Sequence, residues 1–253
     1  VIRWAYAFVD RPRDRFARAC AFWTAVTGTE LSEPRGPGGE FVTLVPPGPA
    51  DACVKAQAVD GPGGAHLDFA VDDFAAAVDL ARTLGAAPVH AEDNLEVLRS
   101  PGGQLFCVVP WNGEKSRPTP VTAQDGATTR LDQVCLDIPP ESYEADIAFW
   151  TEFTGWESTA TRLPEFHRLR PPSPLPVRIL LQRLTTPGQA PGAHLDLACS
   201  DLDAARAWHE TLGAQPVAPG ATWHVMRDPA GGTYCLTARE PGTGDLPSRG
   251  SAG

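Results

Sequence analysis

Lysine is almost missing from this chain: Lys55 and Lys115 are the only two in 253 residues, and the other side-chain cations are arginines. Basic residues are outnumbered 21 to 31, which leaves a net charge of −10. A chain so short of positive charge is not built to track nucleic acid or an anionic membrane surface. No apolar run reaches the ~20 residues that cross a bilayer. Val1 to Asp10 lack a basic flank with a long apolar core, so no export signal is read there. None of the six cysteines (Cys20, Cys53, Cys107, Cys135, Cys199, Cys235) falls in a Cys-x-x-Cys pair. Their even number allows a disulfide framework, but the length and the missing export signal argue against one. The expectation is a reduced, cytoplasmic protein. The glycine runs Gly36-Pro37-Gly38-Gly39 and Gly61-Pro62-Gly63-Gly64 lack a following Lys-Ser or Lys-Thr, so they read as loops, not phosphate cradles. No supported Ser-His-Asp or Cys-His order appears. A hydrophobic share of 42% excludes general disorder.

What the chain does have, it has twice. Gly64-Ala65-His66-Leu67-Asp68 returns as Gly192-Ala193-His194-Leu195-Asp196, 128 positions on. Ala21-Phe22-Trp23-Thr24 returns as Ala148-Phe149-Trp150-Thr151, and both copies continue to Thr-Gly-x-Glu. Glu40-Phe41-x-x-Leu44-x-Pro46-Pro47 returns at Glu165, Leu84-Gly85-Ala86 at Leu212, and Cys107 at Cys235. Landmarks in one order at nearly constant spacing mark a tandem duplication. The halves run over 1–111 and 130–239. A Pro/Gly/Ser/Thr-rich linker over 112–129 separates them, and a tail over 240–253 without periodicity is expected to be flexible.

Each half repeats a smaller order. A strand over Ala5–Val9 leads to a helix near Arg13–Thr27, with Gly28 as a left-handed stop. Strands follow near Phe41–Val45 and Val54–Val59. The order then restarts: strand Ala65–Val71, a cap at Asp72-Asp73, helix Phe74–Leu84, and strands near Leu95–Arg99 and Leu105–Val109. The second half matches, with helices near Ser142–Thr154 and Leu202–Leu212 and a first strand over Leu131–Asp137. This strand–helix–strands unit, used four times, makes an α+β chain. Trp23 and Trp150 hold matching helix positions and are expected in the core. His90, His167 and His209 have no counterpart in the other half and read as surface or loop residues.

Strand alternation gives the duplicated motif two faces. Leu67, Phe69 and Val71 lie on one and suit packing against a helix. His66, Asp68 and Ala70 lie on the other, as do His194, Asp196 and Ala198. A His-x-Asp face kept in both halves suits the wall of a polar cavity, where the carboxylate orients the ring or favours its charged form. The histidine could then act as acid or base, or donate a hydrogen bond to a ligand. The pair could equally be structural, bonding neighbouring strands.

The stretch Gly64 to Asp73, then Leu84-Gly85-Ala86, Arg99 to Cys107, and Arg227-Asp228-Pro229-Ala230-Gly231-Gly232 in the second copy resemble the vicinal oxygen chelate superfamily. That group includes glyoxalase I, bleomycin-resistance proteins and extradiol dioxygenases. The resemblance implies four tandem βαβββ modules forming two cupped mixed β-sheets with flanking helices. It also implies ligand positions on the first and last strand of each module, held by His, Gln or Glu when a metal is present. Those positions carry Tyr6, Gln57, His66 and Cys107 in repeat 1, and Gln133, Gln182, His194 and Cys235 in repeat 2. Each set has one imidazole and no carboxylate, a poor match to a catalytic divalent ion. The expectation is no metal and no cofactor; zinc or iron would need Asp68 or Asp196 as substitute ligands. A Cys at the last position reads more readily as a small buried filler than as a nucleophile.

The function expected is therefore that of a glyoxalase-like small-molecule protein. The leading form is a metal-poor lyase, isomerase or hydrolase working on a small polar metabolite in the cup of repeat 2. His194 is its acid or base, with Asp196 as orienter. Gln133, Gln182, Cys235 and His224 line that cup, and His66, Asp68 and Gln57 line the other. A non-catalytic drug- or metabolite-binding protein is the alternative. An extradiol-type dioxygenase is a third, lacking its two-His-one-carboxylate set here. The partner is a small molecule, in a monomer or homodimer.

Overall fold

Alternating burial along the strands and helix stops at Gly28 and Gly155 set up the same sequence of elements in each half. A computed structural model describes residues 1–123, 126–172 and 175–246. Repeat 1 contains β1 (Ile2–Pro12), α1 (Phe16–Thr27), β2 (Glu30–Leu31), β3 (Phe41–Val45), β4 (Val54–Val59), β5 (Gly64–Val71), α2 (Phe74–Thr83), β6 (Ala87–Glu92), β7 (Leu95–Arg99) and β8 (Leu105–Pro110). A short strand, β9 (Val121–Thr122), pairs with the start of the next half. Repeat 2 contains β10 (Thr128–Ile138), α3 (Tyr143–Thr154), β11 (Glu157–Ala160), β12 (Phe166–Arg170), β13 (Arg178–Arg183), β14 (Gly192–Cys199), α4 (Leu202–Thr211), β15 (Gln215–Pro219), β16 (Trp223–Arg227) and β17 (Thr233–Ala238).

The sheets have the orders β2-β3-β4-β1-β5-β8-β7-β6 and β11-β12-β13-β10-β14-β17-β16-β15. Each is mixed: β1 runs parallel to β4 and antiparallel to β5, and β5 runs parallel to β8. Repeat 2 keeps the same pattern around β10 and β14. The two βαβββ modules of a repeat therefore join at their first strands, and the cup is lined from both. The α+β tandem architecture expected from the sequence is the one observed. Gly28 and Gly155 end α1 and α3 in the left-handed region (φ 61° and 64°), where a side chain would be strained. Asp73 caps α2, its carboxylate accepting from the Ala76 N–H at 3.0 Å. Asp72 instead binds the terminal amine of Val1 and Arg3.

The first helix of each repeat packs against the other repeat. Trp150 and Phe153 of α3 meet Phe69 and Phe106 of repeat 1, with ring centroids 5.0–6.0 Å apart. Trp23 and Phe22 of α1 meet Tyr234 of repeat 2, both at 5.5 Å. Trp23 and Trp150 are core residues, as expected. His209 corrects its surface assignment. It is fully buried on α4 beneath Phe22, with Nδ1 2.9 Å from the Tyr234 hydroxyl. A helix borrowed from the other repeat covers it, which a solvent-facing reading of α4 could not anticipate.

The expected linker packs closely where it is described: Asp51 accepts from the backbone N–H groups of Lys115 and Ser116. The tail expected to be flexible from 240 is tied down as far as it is described. The carbonyl of Gly242 accepts from Arg117 and Arg130, and those of Thr243 and Gly244 accept from Arg178. Arg130 on β10 and Arg178 on β13 thus reach the backbone of 242–244 from the sheet. Residues 124–125 of the linker and 247–253 of the tail lie outside the described residues. All six cysteines are free and buried. No described helix is long and apolar enough to cross a membrane.

Candidate functional site

The inward positions of β10, β13, β14 and β17 decide what each cup can hold. Strand register makes the two cups directly comparable. Gln133 lies opposite Asp196, Cys135 opposite His194 and Asp137 opposite Gly192. In repeat 1 the same places hold Tyr6 opposite Asp68, Phe8 opposite His66 and Asp10 opposite Gly64. On the next strand, Leu180 faces Cys135, where repeat 1 sets Lys55 beside Phe8.

The larger set fills its cup. Phe8 stacks on His66 with ring centroids 4.3 Å apart, and the Lys55 ammonium lies 3.6 Å from the centre of the Tyr6 ring. The Tyr6 hydroxyl donates to Glu114 at 2.5 Å. Burial lowers the Lys55 pKa, with Asp68 opposing. His66, Asp68 and Gln57 thus lie around a floor crowded by repeat 1's own aromatic and cationic side chains.

The smaller set leaves a hollow. Repeat 2 encloses a cavity of about 830 Å³, within the range that holds a small organic ligand. Its floor carries Gln133, Cys135, Asp137, Gln182, His194, Asp196 and Cys235; Phe166, Leu180, Trp223 and Val225 supply apolar wall. Of the residues singled out in repeat 2, His224 alone does not belong. Adjacent residues on a strand face opposite ways, and Trp223 and Val225 take the inward side of β16. His224 turns outward, its Nε2 3.4 Å from Asp203 on α4.

The His-Asp pair has a third member that sequence reasoning did not single out. Asp137 Oδ2 lies 3.0 Å from His194 Nδ1, and Asp196 Oδ1 lies 3.5 Å from Nε2. Repeat 1 repeats the arrangement: Asp10 is 2.6 Å from His66 Nδ1, and Asp68 is 3.5 Å from Nε2. Asp10 and Asp137 stand at the same shift as the Phe-Trp motif, and that coincidence was the available signal. With Asp137 accepting, Nδ1 carries a proton and Nε2 faces the hollow. Burial lowers the His194 pKa, but the Cys135 sulfur and the Asp137 carboxylate outweigh it, and the ring stays well above its ordinary value. Burial raises Asp196, against the opposing pull of His194. The amide of Gln133 donates to Asp196 Oδ2 at 2.6 Å, so that N–H is committed to the carboxylate. The carbonyl of Gln182 is 3.6 Å from the Cys135 thiol.

Two buried oxygens on this floor, Asp196 Oδ1 and Gln133 Oε1, have no hydrogen-bond partner among the described residues. Cys135, His194 and Asp196 offer donor atoms within 4.8 Å of one another; His66, Asp68 and Cys107 do the same in repeat 1. Oxygen-preferring ions such as manganese or iron(II) call for several carboxylates or imidazoles, and one of each does not fit them. A sulfur–nitrogen–oxygen set does fit zinc, and the Asp137–His194 bond is the outer contact that metal-bound imidazoles usually keep. Burial pushes the Cys135 thiol up, so a zinc ion would have to displace its proton.

A profile of the glyoxalase-like domain matches residues 7–109 and again 133–237. No curated protein matches the chain. Among solved structures, a mutant of 4-hydroxymandelate synthase from Streptomyces coelicolor is similar at 17% identity. The match covers 94% of each chain, with a TM-score of 0.60. A Mn(II)-bound glyoxalase from Novosphingobium aromaticivorans is 17% identical over 98% of this chain and 88% of its own, with a TM-score of 0.66. The 2,2',3-trihydroxybiphenyl 1,2-dioxygenase of Sphingomonas wittichii strain RW1 is 15% identical over 98% and 94%, with a TM-score of 0.61. At these identities the likeness is one of fold.

Proposed function

Because the chain belongs to the family of the glyoxalase-like domain, we propose that it is an enzyme acting on a small molecule in the cup of repeat 2. His194 gives or takes the proton in a lyase-, isomerase- or hydrolase-type step. The observation that carries this is a cavity of about 830 Å³ with an imidazole anchored at its floor between two carboxylates. Asp137 fixes the ring through Nδ1, so a proton moves at Nε2, the nitrogen on the ligand's side. Asp196, held by Gln133, steadies that nitrogen when it is charged. Gln133 is thereby a poor donor to a substrate oxygen, and Gln182 is the amide left for that task. The apolar walls exclude water and strengthen these polar contacts. Repeat 1, with Phe8 and Lys55 in the corresponding places, serves as a structural partner.

A second reading rests on the donor set. Zinc, held by Cys135, His194 and Asp196, would supply Lewis acidity to the same cup.

Ligand-observed NMR against a library of small metabolites, followed by turnover of the compounds that bind, tests the proposal. The expected result is turnover that falls by about 100-fold or more in His194→Gln, while binding is retained. Bound compounds returned unchanged by the wild-type protein would make it a binding protein instead. One equivalent of zinc in the purified protein, lost in Cys135→Ser, would favour the second reading.

A further inference from the structure

Positive charge is scarce in this chain, yet three arginines line the open cup: Arg162, Arg168 and Arg239. The filled cup is the internal comparison. By strand register, Arg168 on β12 stands where repeat 1 has Thr43, since both face the residue pair Leu180/Lys55. Arg239, one residue past β17, stands where repeat 1 has Trp111. These two arginines are therefore not shared with repeat 1, whose cup holds Lys55 instead and whose Thr43 hydroxyl accepts from Arg35 at 2.9 Å. Arg168 is half-buried and has no hydrogen-bond or ion-pair partner among the described residues. Arg239 spends one N–H on the Gly244 carbonyl at 3.3 Å. Beside Arg168, Phe166 meets Trp223 edge to face at 5.9 Å, giving the hollow an aromatic wall.

A half-buried guanidinium without an acceptor among the described residues, lining the same cavity as two aromatic rings, is complementary to an anion carried on an apolar body. Resting on the reading that repeat 2 is the working cup, we propose that it selects small organic acids. A ring-bearing apolar body lies against Phe166 and Trp223. Its carboxylate is held by Arg168 together with Arg239, and its far end reaches the His194 floor. Neutral ligands of the same shape leave the arginines unanswered and bind more weakly.

Matched acid–amide pairs test this on the full chain. Calorimetric titration with naphthoate and naphthamide, and with phenylacetate and phenylacetamide, is expected to show the acid bound about tenfold tighter or more. Arg168→Gln should bring each pair close to parity with little effect on the amide, and Arg168→Lys should keep part of the preference. Because Arg168 makes no bond to the described chain, its replacement leaves the fold intact, which circular dichroism verifies. Amides that bind as tightly as the acids, or an acid preference that survives Arg168→Gln and Arg239→Gln, would overturn the proposal while leaving the His194 reading standing. If none of the four compounds binds, the organic-acid proposal falls, and the His194 reading is decided by the metabolite library and its turnover test.

Discussion

Asp228→Asn is expected to lower the stability of the protein by about 3–5 kcal/mol, the cost of leaving a buried charge without its partner. Asp228 sits in the turn between β16 and β17 and accepts from Arg11 of repeat 1 through Nε at 2.8 Å and Nη2 at 2.7 Å. The indole N–H of Trp23, also in repeat 1, donates to the same oxygen at 3.1 Å. Arg11 is 2% exposed, and its remaining bonds run to the backbone carbonyls of Asp10 and Gly64. An asparagine keeps the turn's bonds from the Ala230 and Gly232 N–H groups, at 2.9 Å each, but its NH2 replaces the oxygen that accepts from Arg11 and Trp23, so charge and acceptor are lost together. Urea denaturation should show a lower midpoint with an unchanged slope. Adding Arg11→Met should recover most of the loss, because replacing both partners removes the unpaired charge. A loss below about 1 kcal/mol would mean that Arg11 finds water without Asp228.

The reason to look there is an asymmetry in the contact between the repeats. At the other end of the pseudo-symmetric interface the acid sits on a helix instead of a turn. Asp146 of α3 accepts from the Gly102 N–H at 2.7 Å and the Ser100 hydroxyl at 3.1 Å. Both carboxylates belong to repeat 2, and their hydrogen-bond donors across the interface belong to repeat 1. A second copy of repeat 2 in place of repeat 1 would offer Ile138 where Arg11 stands, leaving buried acids unanswered. The sequence therefore favours unlike repeats as neighbours.

Much of this was open to the sequence. Strand alternation put His66 and His194 on one face and Leu67 and Leu195 on the other, and the repeat spacing gave the tandem cups. The contrast between an empty and a filled cup was also written there, as Cys135 against Phe8 and Leu180 against Lys55. Seeing it required strand register, which the turns and bulges conceal. Asp10 falls one residue past its expected strand and Asp137 is the last residue of its own, and nothing links either to a histidine until β5 and β14 bring the rings alongside. Placing His224 in the cup needed the register of β16, where Trp223 and Val225 face inward and the residue between them must face out. β6 and β15 escaped notice because they are exposed along their whole length and show no alternation. Which sheet a helix covers is not written in its stripe. Trp23 and Trp150 announced a core position and said nothing of crossing to the other repeat.

That crossing makes acid the second sensitive condition. His209 is sealed under Phe22 of α1, and burial lowers its pKa to about 4. An unfolded histidine titrates near ~6.5. With the folded pKa depressed, the stabilising difference is fully present above pH ~6.5. It is lost as pH falls toward 4, because the unfolded chain takes up the proton first. The interval corresponds to about 3 kcal/mol when complete. His66 and His194 work in the opposite sense: their raised folded values add stability below pH ~6.5 that fades as pH rises. The wild-type curve alone therefore mixes two signs, and the measurement is a difference. His209→Gln stays neutral throughout, so its urea-derived stability should fall less than wild type's between pH 7 and 4. The gap between the two proteins should narrow toward acid, by about 3 kcal/mol at the limit. Parallel curves for the two proteins over that range would mean that His209 takes up its proton in the folded protein without disturbing the packing of α1.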